Sequence, residues 1–211
     1  MRKIPSLFRR NYDTGRVYPE ITPGCGWVTS EGRATVKFDG TACLLEFGRL
    51  FRRYDRKLRK FKRGKRPDPP YTDEQFKTPP NGWTPCEGEP DRHTGHWPGW
   101  VPVQEDDPRD RYHLEALKSI PLHEEDGTFE LVGPKVQGNP YGLDKHELWR
   151  HGRDDIATPL PDNASPETLF VVVRTILLEA EIEGIVWHHP DGRMAKVKRR
   201  DFGIHWPPRA T

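Results

Sequence analysis

The sequence predicts an α+β fold in a single domain over residues 1–211. Several short segments carry the alternating or β-branched pattern of strands, whereas one segment near the C-terminus has helical spacing. The length of 211 residues suits one domain with its own core. Only 33% of the residues are hydrophobic and 22 are proline, so we expect long ordered loops around a modest core.

The first part of the chain is predicted to contain an arm and then strands. Residues 1–30 mix proline, glycine and charge, and we expect an arm that ends in a short strand. Strands are predicted at Arg33–Val36, Thr41–Phe47 and Leu50–Tyr54. Gly48-Arg49 is the expected turn between the last two, which would make them a hairpin.

The middle of the chain is predicted to be mostly loop. Residues 64–100 are rich in proline, glycine and tryptophan, and proline interrupts helices. We therefore expect an ordered loop there, with a helical turn near Thr72–Phe76. A strand is predicted at Thr128–Val132, and Gly138–Gly142 has the composition of a turn.

The last part of the chain carries the clearest helix. Pro166–Glu181 has apolar residues at helical spacing, with Ser165 as the expected N-cap. Strands are predicted at Gly184–His188 and Met194–Val197, because Pro190-Asp191-Gly192 between them contains the Asp-Gly pair typical of hairpins.

The charge of the chain is unevenly distributed. The formal net charge is only +2, yet residues 52–66 hold ten Lys or Arg and one acidic residue, Asp55. This block is either a solvated surface or a contact for the nucleic-acid backbone, and its density favours the second interpretation. The residues predicted to make this backbone contact, and assigned to RNA binding by the resemblance described below, are Arg56, Lys57, Arg59 and Lys60.

The cysteines and the apolar runs bear on the compartment. Cys25, Cys43 and Cys86 are odd in number and lack metal-ligand spacing, which argues against a disulfide framework. The N-terminus has no apolar segment of the kind that forms a signal peptide, and the longest apolar run is far too short to span a bilayer. We expect a cytoplasmic protein with reduced thiols and no membrane partner.

A lysine followed by a carboxylate and two further lysines points to nucleotidyl transfer. Lys37 would be the nucleophile, and lysine, with an ordinary pKa of about 10.4, is activated by nearby cations, a metal ion or burial. Lys196 and Lys198 lie on one face of their predicted strand and would supply positive charge at the α-phosphate. Glu183 would hold a divalent metal ion.

Two residues beside the nucleophile complete this hypothesis. Asp39 would orient the lysine or the metal shell, and Gly40 would let the backbone approach the nucleotide closely. Taken singly, these segments also fit a plain turn, a helix end and a solvated strand face. Their order along the chain favours the catalytic interpretation.

These segments resemble the motifs of the covalent nucleotidyltransferases, which include ATP-dependent DNA and RNA ligases and mRNA capping enzymes. The first, fourth and fifth motifs of that superfamily are similar to Lys37–Gly40, Glu183–Val186 and Lys196–Lys198. Longer blocks resemble the stand-alone ATP-dependent 5′–3′ RNA ligases of vertebrates. These blocks are Gly95–Val103, Glu130–Gly133, Gly138–Leu143, Glu183–His188 and Gly203–Pro207.

The resemblance implies a fold and an activity. The fold would be an adenylyltransferase domain, similar to ATP-grasp enzymes, of two twisted and mainly antiparallel sheets with flanking helices and no C-terminal oligonucleotide-binding domain. The enzyme would form phosphoric-ester bonds in RNA repair, using ATP and Mg²⁺ or Mn²⁺. Its partner would be RNA with 5′-phosphate and 3′-hydroxyl ends, and an accessory protein is a further possible partner.

The resemblance also implies residue roles. Lys37 would form lysyl-AMP, while Lys196 and Lys198 would bind the α-phosphate and Glu183 the metal. The predicted nucleotide contacts are the backbone of Val36 at the adenine edge, Asp39 and Gly40 beside the nucleophile, Arg53 at the ribose or the RNA 5′-phosphate, and Glu130 at the adenosine sugar or a metal-bound water.

Two other functions remain open at this point. One is a nucleotidyltransferase of another kind, which adenylylates DNA ends or uses GTP. The other is an RNA-binding module that has kept the fold without the activity.

Overall fold

The computed structural model describes residues 3–11, 13–60, 67–92, 94–121, 124–159, 161 and 164–207. Within these ranges the chain forms two compact units. One contains Lys3 and residues 40–149, and the other contains residues 4–39 and 150–207. The single domain predicted over residues 1–211 stays a prediction.

The unit of residues 40–149 is built on a six-stranded sheet. Its strand order is β6-β7-β5-β4-β8-β9, and the ladders that join β6 through β8 are antiparallel. The strands are β4 (Thr41–Glu46), β5 (Arg49–Lys57), β6 (Thr84–Pro85), β7 (His96–Pro102), β8 (Gly127–Val132) and β9 (Glu147–Arg150).

Among the described residues of this unit, one short helix, α1 (Arg111–Leu117), and two 3-10 helices, Asp73–Gln75 and Pro108–Asp110, accompany the sheet. Helix α1 packs its Ala116 with apolar side chains of β4, β5 and β8. The buried side chains of this core are Cys43, Leu45, Leu50, Ala116, Phe129, Leu131 and Val136. The low apolar content of the chain is consistent with so small a core.

The strand predictions for β4 and β5, where apolar and polar residues alternate, are confirmed to within a few residues. Strand β4 begins at the predicted residue and ends one residue early, because Phe47 and Gly48 form the turn with φ angles of 49° and 71°. Strand β5 then begins at Arg49 and runs three residues beyond the predicted end. Positive φ at both turn positions matches the twist of a two-residue hairpin.

The prediction of loop over residues 64–100 is wrong at its C-terminal end. His96–Pro102 forms strand β7, which pairs with β5 from Lys57 to Phe51. Its two prolines suggested a loop, because proline cannot donate to a ladder. They are tolerated because β6, on the other side, pairs with only two residues of β7. The predicted helical turn is present as the 3-10 helix Asp73–Gln75.

The second unit contains a three-stranded antiparallel sheet in the order β11-β10-β3 and a two-stranded hairpin. Its strands are β1 (Phe8–Arg10), β2 (Val17–Ile21), β3 (Arg33–Lys37), β10 (Gly184–His188) and β11 (Met194–Lys198). Residues 1–30 were predicted to end in a strand, which is wrong. The strands come earlier, and Gly26–Thr29 is a 3-10 helix.

Helix α2 (Pro166–Glu179) covers one face of the three-stranded sheet. The side chain of Ser165 accepts a hydrogen bond from the Thr168 backbone N–H at 3.2 Å, as expected of an N-cap. The helix ends two residues before the predicted end, because Ala180 is extended. The α2 side chains that reach the core are Leu169, Val173 and Leu177, which pack against Ile185, Trp187 and Val197 of the sheet.

The α+β class and the mainly antiparallel sheets are therefore confirmed. No helix in the described part of the chain has the length and apolar character needed to cross a membrane. Strand β10 occupies the centre of the second sheet. Its neighbours β3 and β11 carry the predicted catalytic lysines.

Candidate active site

The predicted catalytic lysines lie on one face of the three-stranded sheet. Gly184 is directly opposite Lys37 of β3 on one side and Lys198 of β11 on the other. Val186 is likewise opposite Lys196. Because residues directly opposite each other project to the same face, all three lysines share the face opposite the apolar core.

Gly184 is needed by the packing of this sheet. A Cβ atom at this position would lie 2.1 Å from the carbonyl oxygen of Val197, much closer than any real contact. Gly184 therefore lets β10 lie close to β11, and this packing keeps Lys37 and Lys198 on either side of it.

Glu183 joins the two lysines. Its Oε1 accepts a hydrogen bond from Lys198 Nζ at 2.7 Å, and its Oε2 accepts one from Lys37 Nζ. Lys37 Nζ also donates to the carbonyl oxygen of Phe38 at 2.9 Å. Glu183 is only 5% exposed, so this carboxylate is a buried bridge between two ammonium groups.

The charges of this cluster shift its pKa values. Burial acts to raise the pKa of Glu183, but the ammonium groups of Lys37 and Lys198 outweigh it and leave that pKa below the ordinary value. Burial and the Lys37 charge lower the pKa of Lys198. Burial, with the charges of Lys198 and Lys37, lowers the pKa of Lys196 to about 8.

Asp39 lies beside this cluster and has a partner from the end of the described chain. Trp206 Nε1 donates a hydrogen bond to Asp39 Oδ2 at 3.0 Å. Burial and the negative charge of Glu183 raise the pKa of Asp39, while the indole hydrogen bond and the charges of Lys37 and Lys198 act against this rise. A second carboxylate therefore stands close to Glu183.

Gly40 and Glu130 are in contact in the other unit. The backbone N–H of Gly40 donates to Glu130 Oε1 at 2.9 Å, and Glu130 is buried. A Cβ atom at Gly40 would lie 2.1 Å from the carbonyl oxygen of Leu131. This close approach of β4 to β8 is one reason for glycine at this position. Nucleotide contacts by Gly40 and Glu130 stay predictions.

Arg53 and Val36 make protein contacts at the groups predicted to read the nucleotide. Arg53 Nε donates to Asp55 Oδ1 at 2.7 Å, and its guanidinium lies 5.6 Å from the centre of the Trp100 ring. The backbone N–H of Val36 donates to the carbonyl oxygen of Asp154 at 2.8 Å. The nucleotide contacts of both residues also stay predictions.

Arg56 of the predicted RNA surface is part of the protein interior. It is 4% exposed, pairs with the carboxylate of Asp73, and donates to the carbonyl oxygen of Lys77 at 2.7 Å. Its guanidinium lies within 6 Å of the rings of Phe76, Trp83 and Trp97. This contact explains part of the tryptophan-rich segment as packing around a buried cation.

The other predicted RNA contacts are exposed. Lys57, Arg59 and Lys60 all face solvent, although Arg59 Nε donates to the carbonyl oxygen of Phe76 at 2.7 Å. Residues 61–66, which complete the basic block, lie outside the described residues. Lys57 and Lys60 are thus the described members of the block best placed to meet a phosphate backbone.

Sequence reasoning did not place Thr35, His188 or Trp206 beside the residues of the lysine cluster. Thr35, which is 1% exposed, donates through its hydroxyl to the carbonyl oxygen of Val186 at 3.2 Å, and this hydroxyl lies 2.9 Å from His188 Nε2. Strand alternation from Lys37 could have placed both residues on the lysine face. Trp206 lies in the Gly203–Pro207 block of the resemblance, but its contact with Asp39 could not be predicted, because it joins residues far apart in sequence.

The carboxylates of this cluster fit a metal ion only in part. Within the described residues, no group of three or more His, Cys, Asp or Glu side chains is arranged to hold an ion. Glu183 and Asp39 offer two carboxylates close together. Mg²⁺ in nucleotide enzymes is often held by one or two carboxylates together with phosphate oxygens and water, and the residues fit that arrangement.

Comparison with known proteins places the chain in a family. A family model described as RNA ligase 1 matches residues 109–211. RNA ligase 1 of Rattus norvegicus is 31% identical over an alignment of 226 residues. The alignment covers 82% of this chain and 68% of that protein. The chain belongs to the RNA ligase 1 family. RNA ligase 1 of Danio rerio is 28% identical over 228 residues with the same coverage.

The RNA ligase 1 family model covers only part of the predicted site. Glu130, Glu183, Lys196 and Lys198 lie within the matched residues, whereas Lys37 precedes them. The structure adds what the family match leaves out. It brings Lys37 into direct contact with Glu183, which in turn contacts Lys198.

Proposed function

We propose that this protein is an ATP-dependent RNA ligase that seals 5′-phosphate and 3′-hydroxyl RNA ends through a lysyl-AMP intermediate. The observation that carries the proposal is the buried Glu183 carboxylate shared by Lys37 and Lys198, with Lys196 on the same sheet face. Membership of the RNA ligase 1 family supports the choice of RNA as the nucleic acid.

In the first step the Lys37 amine attacks the α-phosphorus of ATP. A nitrogen–phosphorus bond forms, the bond to the bridging oxygen breaks, and pyrophosphate leaves. Lys37 must first leave its ion pair with Glu183 and lose a proton, because only a neutral amine is a nucleophile. The observed pair is thus the resting arrangement of the proposed enzyme.

Lys196 and Lys198 would stabilise negative charge at the α-phosphate. Both project from β11 on the face that carries Lys37. Fixed cations in a partly buried site stabilise developing charge more than mobile ions in water. When Lys37 leaves, Glu183 keeps its contact with Lys198, so the carboxylate retains one counter-charge.

Glu183, together with Asp39, would hold Mg²⁺ or Mn²⁺. The ion would supply charge neutralisation at the phosphates when bound. Without an ion, the negative charge of Glu183 acts against ionisation of Asp39 and helps to raise its pKa, and a bound cation would relieve that repulsion. We include Val36, Gly40, Arg53 and Glu130 in the proposal as predicted nucleotide contacts.

The later steps require RNA. AMP would pass from Lys37 to the RNA 5′-phosphate, and the 3′-hydroxyl would then displace AMP and close the break. Exposed Lys57 and Lys60 would bind the RNA backbone without regard to sequence. A cytoplasmic location and an accessory protein that extends the RNA surface belong to the same proposal.

The test is the intact mass of the purified protein after incubation with Mg²⁺ and either ATP or GTP. We expect a gain of one AMP from ATP alone, loss of the adduct in Lys37→Ala, and normal adduct in the exposed control Lys57→Ala. Pyrophosphate should remove the adduct. A gain from GTP, or transfer only to DNA ends, would favour a different nucleotidyltransferase, and no adduct under any condition would overturn the proposal.

A further inference from the structure

Trp206 is separated from the lysine motifs in sequence yet contacts one of them directly. Its indole N–H lies 3.0 Å from Asp39 Oδ2, and Asp39 follows the proposed nucleophile by two residues. An indole nitrogen is only a donor, so this contact favours the ionised carboxylate. The hydrogen bond also restricts rotation of that carboxylate, which sets the direction of its second oxygen.

The backbone that carries Trp206 is fixed by a buried arginine. Arg199 begins the 3-10 helix after β11, and its Nε donates to the carbonyl oxygen of His205 at 3.0 Å. Its Nη1 donates to the carbonyl oxygen of Ala180 at 2.7 Å. One guanidinium therefore ties the residue before Trp206 to the end of helix α2.

The main chain of Arg199 reinforces this connection. Its N–H donates to the carbonyl oxygen of Glu183 at 2.8 Å, and its carbonyl oxygen accepts from Ile204 at 3.0 Å. Gly203, with φ of 81°, allows the chain to reverse direction between these contacts. The same residue thus anchors Glu183 and the segment that presents Trp206.

Asp39 needs such a partner because of its surroundings. Glu183 is close enough for its charge to oppose ionisation of Asp39, while Lys37 and Lys198 attract the carboxylate. A carboxylate among these opposing charges has several competing orientations. A neutral donor held by the packed chain selects one of them without adding charge to the site.

We propose that Trp206 is a positioning residue for the first step, which holds Asp39 in the orientation that lysine adenylylation requires. The inference rests on the proposed function and deepens it by giving a role to a residue outside the three nucleotidyltransferase motifs. Trp206 acts through Asp39 and need not touch the nucleotide.

The test removes the indole N–H while keeping the ring. Trp206→Phe, and replacement of Trp206 by the isosteric 3-benzothienylalanine, should both lower the kcat of adduct formation by roughly 10- to 100-fold, the usual effect of losing a partner that orients a site ligand. The KM for ATP should change by less than about twofold, because the loss affects the reacting geometry more than binding. Trp149→Phe is the matched control, since Trp149 Nε1 donates to Glu147 Oε2 at 2.8 Å.

A double-mutant cycle separates positioning from general packing. Asp39→Ala with Trp206→Phe should be no slower than Asp39→Ala alone, because each change removes the same hydrogen bond. The indole proton resonance of Trp206 supplies a readout independent of activity, and Asp39→Ala should move it. Wild-type rates in Trp206→Phe, additive effects in the cycle, or an unmoved resonance would overturn the inference.

The outcomes also distinguish this inference from the proposed function. If the unaltered protein forms no AMP adduct, the ligase mechanism fails and the role of Trp206 fails with it. If the unaltered protein forms the adduct at the same rate as Trp206→Phe, only the inference fails.

Discussion

The buried carboxylate of Glu183 is the residue on which the lysine cluster depends. It neutralises Lys37 and Lys198 where water is largely excluded, and removing it would leave both ammonium groups without their hydrogen-bonded carboxylate. The same contact fixes the position of the Lys37 amine. A single carboxylate therefore holds both lysines in one arrangement.

Lys196 gives the clearest prediction of pH dependence. The charged groups that act on it are Lys198, Lys37, Glu183 and Asp201, and burial with the two lysines brings its pKa to about 8. The side chain is therefore charged below pH 8 and neutral above it. If its charge binds the α-phosphate, affinity for α,β-methylene ATP, which cannot release pyrophosphate, should fall about tenfold from pH 7 to pH 9.

Lys196→Arg is the control for this pH dependence. Arginine stays charged throughout the range, so nucleotide affinity in this variant should be nearly constant between pH 7 and pH 9. Equilibrium binding at fixed ionic strength measures both proteins. An equally steep decline in Lys196→Arg would assign the titration to another group.

At the scale of elements, the β10 strand brings the motifs together through the packing of Gly184. Gly184→Ala should lower the free energy of unfolding by about 3 kcal/mol, because the new Cβ atom collides with backbone that cannot move without separating β10 from β11. Adduct formation should also slow, because Lys37 and Lys198 flank this position. Denaturant unfolding and intact mass measure the two effects.

Gly26→Ala is the matched control for this substitution. No atom lies within 4 Å of a Cβ at Gly26, and its φ is not in the left-handed region. Its unfolding free energy should stay within about 0.5 kcal/mol of the unaltered protein. Equal stability of both variants would mean that β10 and β11 adjust to the added methyl group.

The sequence predicts those elements in which local and long-range preferences agree. The β10–β11 hairpin follows from alternation on both sides of Asp191-Gly192, and its strands appear within one residue of prediction. Strand β7 was missed because Pro98 and Pro102 argue locally against a strand, and its pairing with β5 overrides them. The local sequence of β7 does not indicate that β5, distant along the chain, will pair with it.

In the candidate site, too, some features follow from the local sequence and others only from contacts between distant residues. Motif order and strand alternation place Lys196 and Lys198 on one face, as the structure has them. The bridge formed by Glu183 depends on the register of three strands, and the Asp39–Trp206 hydrogen bond depends on the path of the chain after β11. Neither follows from spacing, because each contact is fixed by tertiary packing.

At the scale of the whole molecule, positive and negative charges nearly balance, but they are unevenly placed along the chain. The net charge is only +2, whereas residues 52–66 hold ten Lys or Arg and one acidic residue. The structure divides the described part of that block between a buried cation, Arg56, and exposed cations such as Lys57 and Lys60. Charge alone therefore does not select candidate RNA contacts, because burial separates Arg56 from the exposed lysines.

Reversal of the exposed charges should separate the two halves of the proposed reaction. Lys57→Glu with Lys60→Glu should leave adduct formation from ATP unchanged and weaken sealing of broken RNA, because only the later steps use the RNA backbone. For a single strand, loss of two phosphate contacts should reduce the slope of log affinity against log salt by about 1.4.

Lys135→Glu with Lys145→Glu changes the net charge equally outside the block and should leave the slope unchanged. Equal effects of both pairs would assign RNA binding to net charge, and equal loss of adduct formation and sealing would place Lys57 or Lys60 in the first step.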